Sequence, residues 1–522
     1  MRRAIRWLAA VVLSVCGCHG APPRAVAGDP AALRPPCRTD GDDAPLQRSA
    51  CDKDWSVLVY MMADAPGLGA PALWNLHQME GQFASPGRSA ASTPAADVIV
   101  ELDVEQPPGI RRLRMLGALS PFAPLRALAD YAGPTAWQPR SPVVEAIDEA
   151  RAEAPPATPG TRLADFLAWG IAHYPARHYA VIVWGHGFGF RPAGAPCCDA
   201  GVPRGGIALD VSHAVLDIPA LRAALAETSA ARLAGRPFDL YLSDACLMQT
   251  IEVAAELTGV ARYIGGAEAK LDPLGLPYRL LVPLVNGSAP PPPASPRCAA
   301  HDAACDLAAA LPDLVRTAVS PQSELYAAAD AASDARQNLT YSVVDAQLLA
   351  NRLVPALHAL GAALRDYLRE PPSQDDRRIA VLDLFTPHRP SAARPFVHAF
   401  IGGGRDIGSL LSRLRAQLTA SPDGAAHAAP DRAAASLLRA IDAADAALRT
   451  TVIAEALGSR YDDPAYAGML GLSAWLPISP EDYRANRDWF AASRFYQAPD
   501  GTAGTASPWG ASLRELFDPA PP

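Results

Sequence analysis

Lysine is nearly absent from this 522-residue chain, which contains only Lys53 and Lys270. Arginine therefore carries almost all of the positive charge, yet the formal net charge is −8 and neither sign of charge forms a long run. The sequence also has no basic stripe with interleaved aromatic residues, which is the pattern of a nucleic-acid-binding surface. We therefore expect no nucleic-acid partner, and the scarcity of lysine by itself indicates no function.

Several motifs of metal and serine chemistry are missing as well. There is no H-E-x-x-H motif and no pair of C-x-x-C motifs, so a zinc site would lack ligands. No G-x-S-x-G motif provides a serine nucleophile. The glycine-rich residues 401–408 follow no clear βαβ unit and are only a weak indication of a phosphate-binding loop. These absences predict a protein with no metal site and no required cofactor.

The first 18 residues have the pattern of an export signal. Three arginines precede an apolar run over residues 7–15, which is too short for a stable membrane anchor. The segment ends in a Val-Cys-Gly-Cys stretch that resembles a bacterial lipobox with Cys18 as the lipidated residue, although Cys16 is unusual at its position. We expect an exported lipoprotein of the bacterial cell envelope, attached to the membrane only through this lipid. Ordinary cleavage, giving a periplasmic or secreted protein, is the alternative.

An exported chain can form disulfides. Seven cysteines follow the lipobox: Cys37, Cys51, Cys197, Cys198, Cys246, Cys298 and Cys305. Two closely spaced pairs are candidates for local disulfides, namely Cys37 with Cys51 and Cys298 with Cys305. Spacing does not assign partners to the adjacent residues 197 and 198. An odd number leaves one thiol over, and Cys246 is the candidate for it.

Composition divides the remainder of the chain into four segments. Residues 19–53 are rich in proline and alanine without periodicity and predict a tether. Residues 54–285 alternate apolar runs of strand length with segments of helical spacing, and we interpret them as the core. Residues 286–300 form a proline-rich loop, and residues 301–522 are mostly helical with added strands. We treat this last region as part of the same unit.

The core segment predicts an α/β fold. Its strands are apolar on both faces and are separated by helices, which is typical of a parallel sheet covered on both sides. In such folds the functional site lies at the carboxyl ends of the strands. Two strand ends carry reactive side chains: one continues into Gly185, His186 and Gly187, and the other into Asp244, Ala245 and Cys246.

A thiol becomes a nucleophile when an imidazole or a helix N-terminus lowers its pKa. We therefore predict that His186 and Cys246 face one crevice and that a helix begins directly after Cys246. Free backbone N–H groups there, with that of Gly187, could stabilise an oxyanion. Alternatively, Cys246 is a buried apolar filler and His186 a turn residue. Because both occur at strand ends, we favour the Cys–His interpretation.

Four segments also resemble a known family: WSVLVYMMAD at residues 55–64, HYAVIVWGHGFGF at 178–190, GIALD at 206–210 and SDACLMQTIEVAAEL at 243–257. They are similar to the clostripain family of cysteine peptidases, which belongs to the caspase-like clan. GLSAWLP near the C-terminus is similar too, so the resemblance covers most of the chain from Trp55. It implies a caspase-like α/β/α sandwich with a mostly parallel central sheet, plus a helix-rich C-terminal region.

The resemblance also implies roles for individual residues. His186 would be the general base and acid, and Cys246 the nucleophile that forms a thioester, with no obligatory third catalytic residue. Backbone N–H groups of Gly187 and Cys246 would form the oxyanion hole. Members of the family cleave after Arg or Lys, and Asp244 is the candidate floor of the S1 pocket because a carboxylate pairs well with a guanidinium. Asp244 could instead be a helix N-cap.

Some members of the family mature by cleavage between the histidine and the cysteine. Here residues 190–206 occupy that place and contain Arg191 and Arg204, of which the Arg204–Gly205 bond is the preferred candidate. The cysteines at 197 and 198 depart from the family pattern. Calcium dependence occurs in some relatives, and the sequence has no EF-hand loop, so calcium stays open.

Three functions follow from these observations. The first is an exported, monomeric cysteine endopeptidase that acts on protein or peptide substrates after Arg, with Lys as a second possibility. The second is a catalytically silent caspase-like surface module that binds peptides or partner proteins. The third is a different cysteine hydrolase, such as an amidase. The presence of His186 and Cys246 favours an enzyme over the silent module, and Asp244 favours the peptidase over an amidase.

Overall fold

A computed structural model describes most of the chain beyond residue 51. The described residues are 52–80, 91–105, 109–117, 128–133, 136–147, 158–190, 205–209, 214–272, 274–320, 336–370, 374–385, 397–400, 403–419, 431–499, 502 and 505–519. The predicted signal segment with Cys18, the tether up to Cys51, and the loop residues Arg191, Cys197, Cys198 and Arg204 lie outside them.

The described residues contain thirteen strands: β1 (Lys53–Ala63), β2 (Ala96–Val104), β3 (Gly109–Arg114), β4 (Val143–Ile147), β5 (Ala176–Trp184), β6 (Ile207–Leu209), β7 (Val215–Leu216), β8 (Phe238–Asp244), β9 (Ala261–Gly266), β10 (Thr340–Asp345), β11 (Gly404–Asp406), β12 (Val452–Leu457) and β13 (Ser473–Trp475). Nine of them form one large sheet, in the order β12-β10-β9-β8-β5-β1-β2-β3-β4. The pairs β6–β7 and β11–β13 form two small separate sheets.

Thirteen helices of the described residues flank or follow this sheet. They are α1 (Gly69–Glu80), α2 (Pro159–His173), α3 (Ile218–Arg232), α4 (Ile251–Glu256), α5 (Tyr278–Val285), α6 (Ala303–Ala318), α7 (Ala346–Leu348), α8 (Val354–Arg369), α9 (Gln374–Asp383), α10 (Ile407–Thr419), α11 (Arg432–Thr451), α12 (Pro480–Phe490) and α13 (Pro508–Phe517). A π-helical turn, Leu349–Leu353, joins α7 to α8. No helix in the described part of the chain is long and apolar enough to cross a membrane.

The centre of the large sheet is parallel and its edges are antiparallel. Strands β2, β1, β5, β8 and β9 pair in parallel. Strands β3 and β4 at one edge, and β10 and β12 at the other, pair antiparallel to their neighbours. The prediction of a caspase-like, mostly parallel α/β/α sandwich is therefore confirmed.

Strand β1 shows why its sequence is apolar without alternation. Leu58 and Tyr60 pack into one core layer, with Phe166 of α2, while Val57 and Val59 pack into the layer on the other face. Both faces of the strand are thus removed from water, so every position favours an apolar side chain. The layer containing Val57 also receives residues from α1, α5 and α6.

The loop between α5 and α6 contains one of the predicted local disulfides. Cys298 and Cys305 are joined at 2.03 Å, and Cys305 lies in the first turns of α6. The other end of α6 reaches the carboxyl edge of the sheet. Among the described cysteines, Cys246 is the free one, as the odd count predicts.

Candidate active site

The sheet register brings the two candidate reactive residues to the same edge. Strands β5 and β8 are adjacent and parallel, and Trp184 and Asp244 are partners at the end of their ladder. His186 and Cys246 each follow two residues beyond these partners. Both line one cavity of about 400 Å³ at the carboxyl ends of the strands. The structure therefore brings the candidate imidazole and the candidate thiol into one crevice.

The backbone beside His186 lies unusually close to the backbone beside Cys246. A Cβ atom built on Gly187 would lie 2.1 Å from the Cys246 carbonyl oxygen and 2.9 Å from its nitrogen. Only a glycine fits this approach. The segment is fixed from the other side too, since the amide of Ala208 donates to the His186 carbonyl at 2.8 Å and that of Phe188 donates to Gly206 at 3.0 Å.

The His186 ring is half-buried and forms a hydrogen bond with the backbone carbonyl of Pro66, in the loop after β1. Burial lowers the pKa of His186, and the Pro66 hydrogen bond partly opposes this effect. The imidazole is therefore neutral around pH 7, the form that can accept a proton.

The Cys246 side chain is half-buried and reduced. Its Sγ donates to the carbonyl oxygen of Leu271 at 3.8 Å. Burial raises the pKa of the Cys246 thiol, because the thiolate loses hydration. The resting group is accordingly a neutral thiol that must lose its proton to react.

The prediction of a helix directly after Cys246 is wrong. Leu247 has a left-handed backbone with φ of 61°, and its amide donates to the carbonyl of Ala269 at 3.0 Å. Helix α4 begins only at Ile251, where the Thr250 side chain caps the amide of Val253. The segment after the cysteine is thus held against the chain beyond β9, and no helix N-terminus within the described ranges lies beside the thiol.

Asp244 is not a helix N-cap either. Its carboxylate accepts hydrogen bonds from the amide of Leu276 at 3.0 Å and from the hydroxyl of Tyr278 at 2.8 Å. Burial raises the pKa of Asp244 to about 7. The residue lines the cavity, and Gly275 packs so closely that an added Cβ would lie 2.7 Å from a carboxylate oxygen.

Sequence reasoning missed two charged residues of the cavity. Lys270 and Asp272 follow β9 and line the same space as Cys246. No motif marks them, because they lie in an irregular segment whose path depends on the backbone pairing with residues 247–249. Val315 and Leu339, at the ends of α6 and before β10, form an apolar wall opposite. Their positions depend on how the C-terminal region packs, which sequence patterns there do not predict.

No group of three or more His, Cys, Asp or Glu side chains in the described ranges is arranged to hold a metal ion.

Comparison with known proteins supports this interpretation. The model of the clostripain family matches residues 143–381, a stretch that includes both His186 and Cys246. No curated protein matches the sequence.

Two solved structures are similar. The first is a secreted C11 cysteine protease from Bacteroides thetaiotaomicron in complex with an irreversible peptide inhibitor, with a TM-score of 0.50 and 17% identity over 85% of this chain and 98% of that one. The second is an inactive zymogen C11 protease from Parabacteroides distasonis, with a TM-score of 0.49 and 16% identity over 85% and 97%. At 17% identity, the similarity to the first of these structures supports the fold alone.

A mostly parallel sheet with a histidine and a cysteine at neighbouring strand ends is the arrangement that the resemblance to cysteine peptidases implies. The family match confirms the resemblance over residues 143–381, and the chain is a cysteine peptidase that is similar to the clostripain family.

Proposed function

We propose that this protein is an exported cysteine endopeptidase that cleaves after arginine, with lysine as the second candidate, through Cys246 and His186. The observation that carries the proposal is the register of β5 and β8, which opens both side chains into one cavity. A histidine and a cysteine with purely structural roles would not be expected to line the same cavity.

The chemistry needs only these two side chains and the backbone. His186 takes the proton from Cys246 Sγ, and the sulfur attacks the carbonyl carbon of the scissile bond. The backbone N–H groups of Gly187 and Cys246 are our candidates for stabilising the oxyanion. His186 then gives the proton to the leaving amine, which leaves a thioester. Water, activated by the neutral imidazole, hydrolyses the thioester and restores the thiol.

Asp244 is our candidate for recognising the basic P1 side chain. Its carboxyl group lines the cavity beside Cys246 and is held in place by Leu276 and Tyr278. Asp272 supplies a second carboxyl group to the same cavity. A guanidinium group that enters this space would meet charge-assisted acceptors at its far end.

Export and maturation complete the proposal. The signal pattern of residues 1–18 supports export, with lipidation at Cys18, and the similar Bacteroides thetaiotaomicron protein is described as secreted. We propose a monomer that acts on protein or peptide substrates. We also propose self-cleavage at Arg204–Gly205, with Arg191 as the second candidate, because an enzyme specific for arginine can cut its own arginine-containing loop.

The test is turnover of fluorogenic peptides that end in Arg, Lys or Leu, under reducing conditions, by wild type and Cys246→Ala. We expect cleavage of the Arg peptide that disappears in the variant. Intact mass measured before and after incubation, with Arg204→Gln as control, reports self-cleavage. If neither protein cleaves any peptide, even after tryptic cleavage of the 190–206 loop, the silent peptide-binding module becomes the better explanation.

A further inference from the structure

Lys270 has an environment that differs from that of the other lysine in the chain. Lys53 is buried and paired with Asp97 at 3.1 Å, so it belongs to a structural ion pair. Lys270 is exposed and lines the cavity that contains Cys246. It takes part in no ion pair with the residues that the structure describes. Among the described residues its charge is thus not neutralised by a paired carboxylate, and it acts on the cavity.

Backbone contacts fix Lys270 next to the nucleophile. The carbonyl of the preceding residue, Ala269, accepts from the amide of Leu247 at 3.0 Å. The carbonyl of the following residue, Leu271, accepts from Cys246 Sγ at 3.8 Å. The amide of Ala269 is itself held by the Thr340 hydroxyl at 2.9 Å. The lysine therefore lies between the two carbonyl groups that touch the cysteine and its neighbour.

The other charged and titratable groups facing the thiol do not favour its ionisation. Asp244 and Asp272 line the cavity as carboxyl groups, and His186 is the group that must receive the proton. Burial raises the pKa of Cys246 and Asp244 raises it further, whereas the backbone hydrogen bond with Leu271 and the nearby Lys270 ammonium lower it. The remaining wall, with Val315 and Leu339, is apolar. Since no helix N-terminus of the described residues lies beside the thiol, the Lys270 ammonium is the charged side chain lining this cavity that supplies positive potential there.

We propose that Lys270 is a positioning residue of this active site, whose ammonium group stabilises the thiolate of Cys246 and so assists proton transfer to His186. The lysine does not contact the scissile bond; it acts on the nucleophile through the electrostatic potential of the cavity. This inference rests on the proposed role of Cys246 as the nucleophile, and its test does not require turnover.

The test measures the alkylation rate of Cys246 by iodoacetamide as a function of pH, read by mass spectrometry of the peptide that contains Cys246. Lys270→Gln should lower the rate at pH 7 by roughly two- to sixteenfold, as expected for one unit charge about 10 Å away at effective dielectric constants of about 80 to 20. Well above the thiol pKa the rates of variant and wild type should converge. Lys270→Arg should restore the wild-type profile.

Two controls separate charge from structure. Arg439→Gln removes one exposed positive charge from α11, far along the chain, and should leave the profile unchanged. In about 1 M salt, where the Debye length is about 3 Å, the difference between Lys270→Gln and wild type should shrink.

An unchanged alkylation profile in Lys270→Gln overturns the proposal, as does a uniform fall at every pH that Lys270→Arg does not rescue. A shifted profile in a protein that cleaves no peptide keeps the proposal for the thiol and rejects the proposed peptidase function. The two failures are therefore distinguishable.

Discussion

Trp184 and Asp244 are register partners at the carboxyl ends of two adjacent parallel strands. Parallel pairing keeps residues at equal offsets side by side, so His186 and Cys246 leave the sheet together. The register of β5 and β8 thus sets the positions of both residues, and the loops that follow the two strands keep them there. Gly187 permits the close approach, and Leu247 in its left-handed conformation turns the chain away after the thiol.

The first prediction concerns the two reacting groups. Cys246→Ala and His186→Gln should each lower kcat/KM for an arginine peptide by at least about 10³-fold, because the steps of nucleophilic attack and proton transfer act as a unit. The kcat/KM of the double variant should be no lower than that of the less active single variant. Thermal unfolding of Cys246→Ala should match wild type, since Sγ makes only a long hydrogen bond at 3.8 Å. Substantial activity in Cys246→Ala would contradict the assignment.

The position of the candidate pair, His186 and Cys246, could be predicted from sequence because it depends on local patterns. Buried strands give continuous apolar runs, and polar residues directly beyond two such runs, His186 and Cys246, must lie at the carboxyl edge. The residue at which the helix after Cys246 begins could not be predicted correctly: α4 begins at Ile251 and not directly after the cysteine. The apolar spacing of residues 247–257 suits a helix, but the amides of Leu247 and Gln249 instead pair with the chain beyond β9. Such long-range pairing leaves no local signal in the sequence.

The same limit explains the residues that sequence reasoning missed. Lys270 and Asp272 enter the cavity because the segment after β9 runs along residues 247–249. Val315 enters because α6 packs against β10 and β12, two strands that extend the sheet from the C-terminal region. These contacts depend on tertiary packing, whereas composition and spacing report only on neighbours along the chain.

The second prediction concerns specificity and pH. Asp244 attracts a guanidinium only when ionised, and its pKa in the free protein is raised to about 7. The ratio of kcat/KM for Arg over Leu peptides should therefore rise from pH 6 to pH 8, since kcat/KM reports the ionisation of the free enzyme. Asp244→Asn should lower this ratio and remove its change with pH. A ratio that stays high and still rises with pH in Asp244→Asn would assign recognition to another group, with Asp272 the first to test.

The third prediction concerns stability. A carboxyl group whose pKa is about 3.9 in the unfolded chain and about 7 when folded binds its proton more tightly in the folded state. Its contribution to the free energy of unfolding is complete below pH 4 and is lost as the pH rises to 7. Asp244→Asn should make the decline over this range shallower by on the order of 1–3 kcal/mol. Urea denaturation at pH 4, 5.5 and 7 measures it, and parallel curves for both proteins would contradict it.

The last prediction tests whether the close backbone approach is required for activity. An alanine Cβ at position 187 would overlap the Cys246 carbonyl oxygen, at 2.1 Å, and crowd its amide nitrogen, at 2.9 Å. Backbone atoms cannot move aside as a flexible side chain can, so His186 and Cys246 must separate. Gly187→Ala should lower kcat/KM by about 10²-fold, the cost of misplacing reacting groups by about 1 Å.

Gly69→Ala is the matched control, because a Cβ atom at position 69 would meet no other atom within 4 Å. Gly69 is the first residue of α1 and directly follows Leu68, which lines the same cavity. The control should keep wild-type activity, and Gly187→Ala should remain folded by circular dichroism while losing turnover. Equal activity of the two variants would mean that the register of β5 and β8 alone positions the reacting pair, without the contact at Gly187.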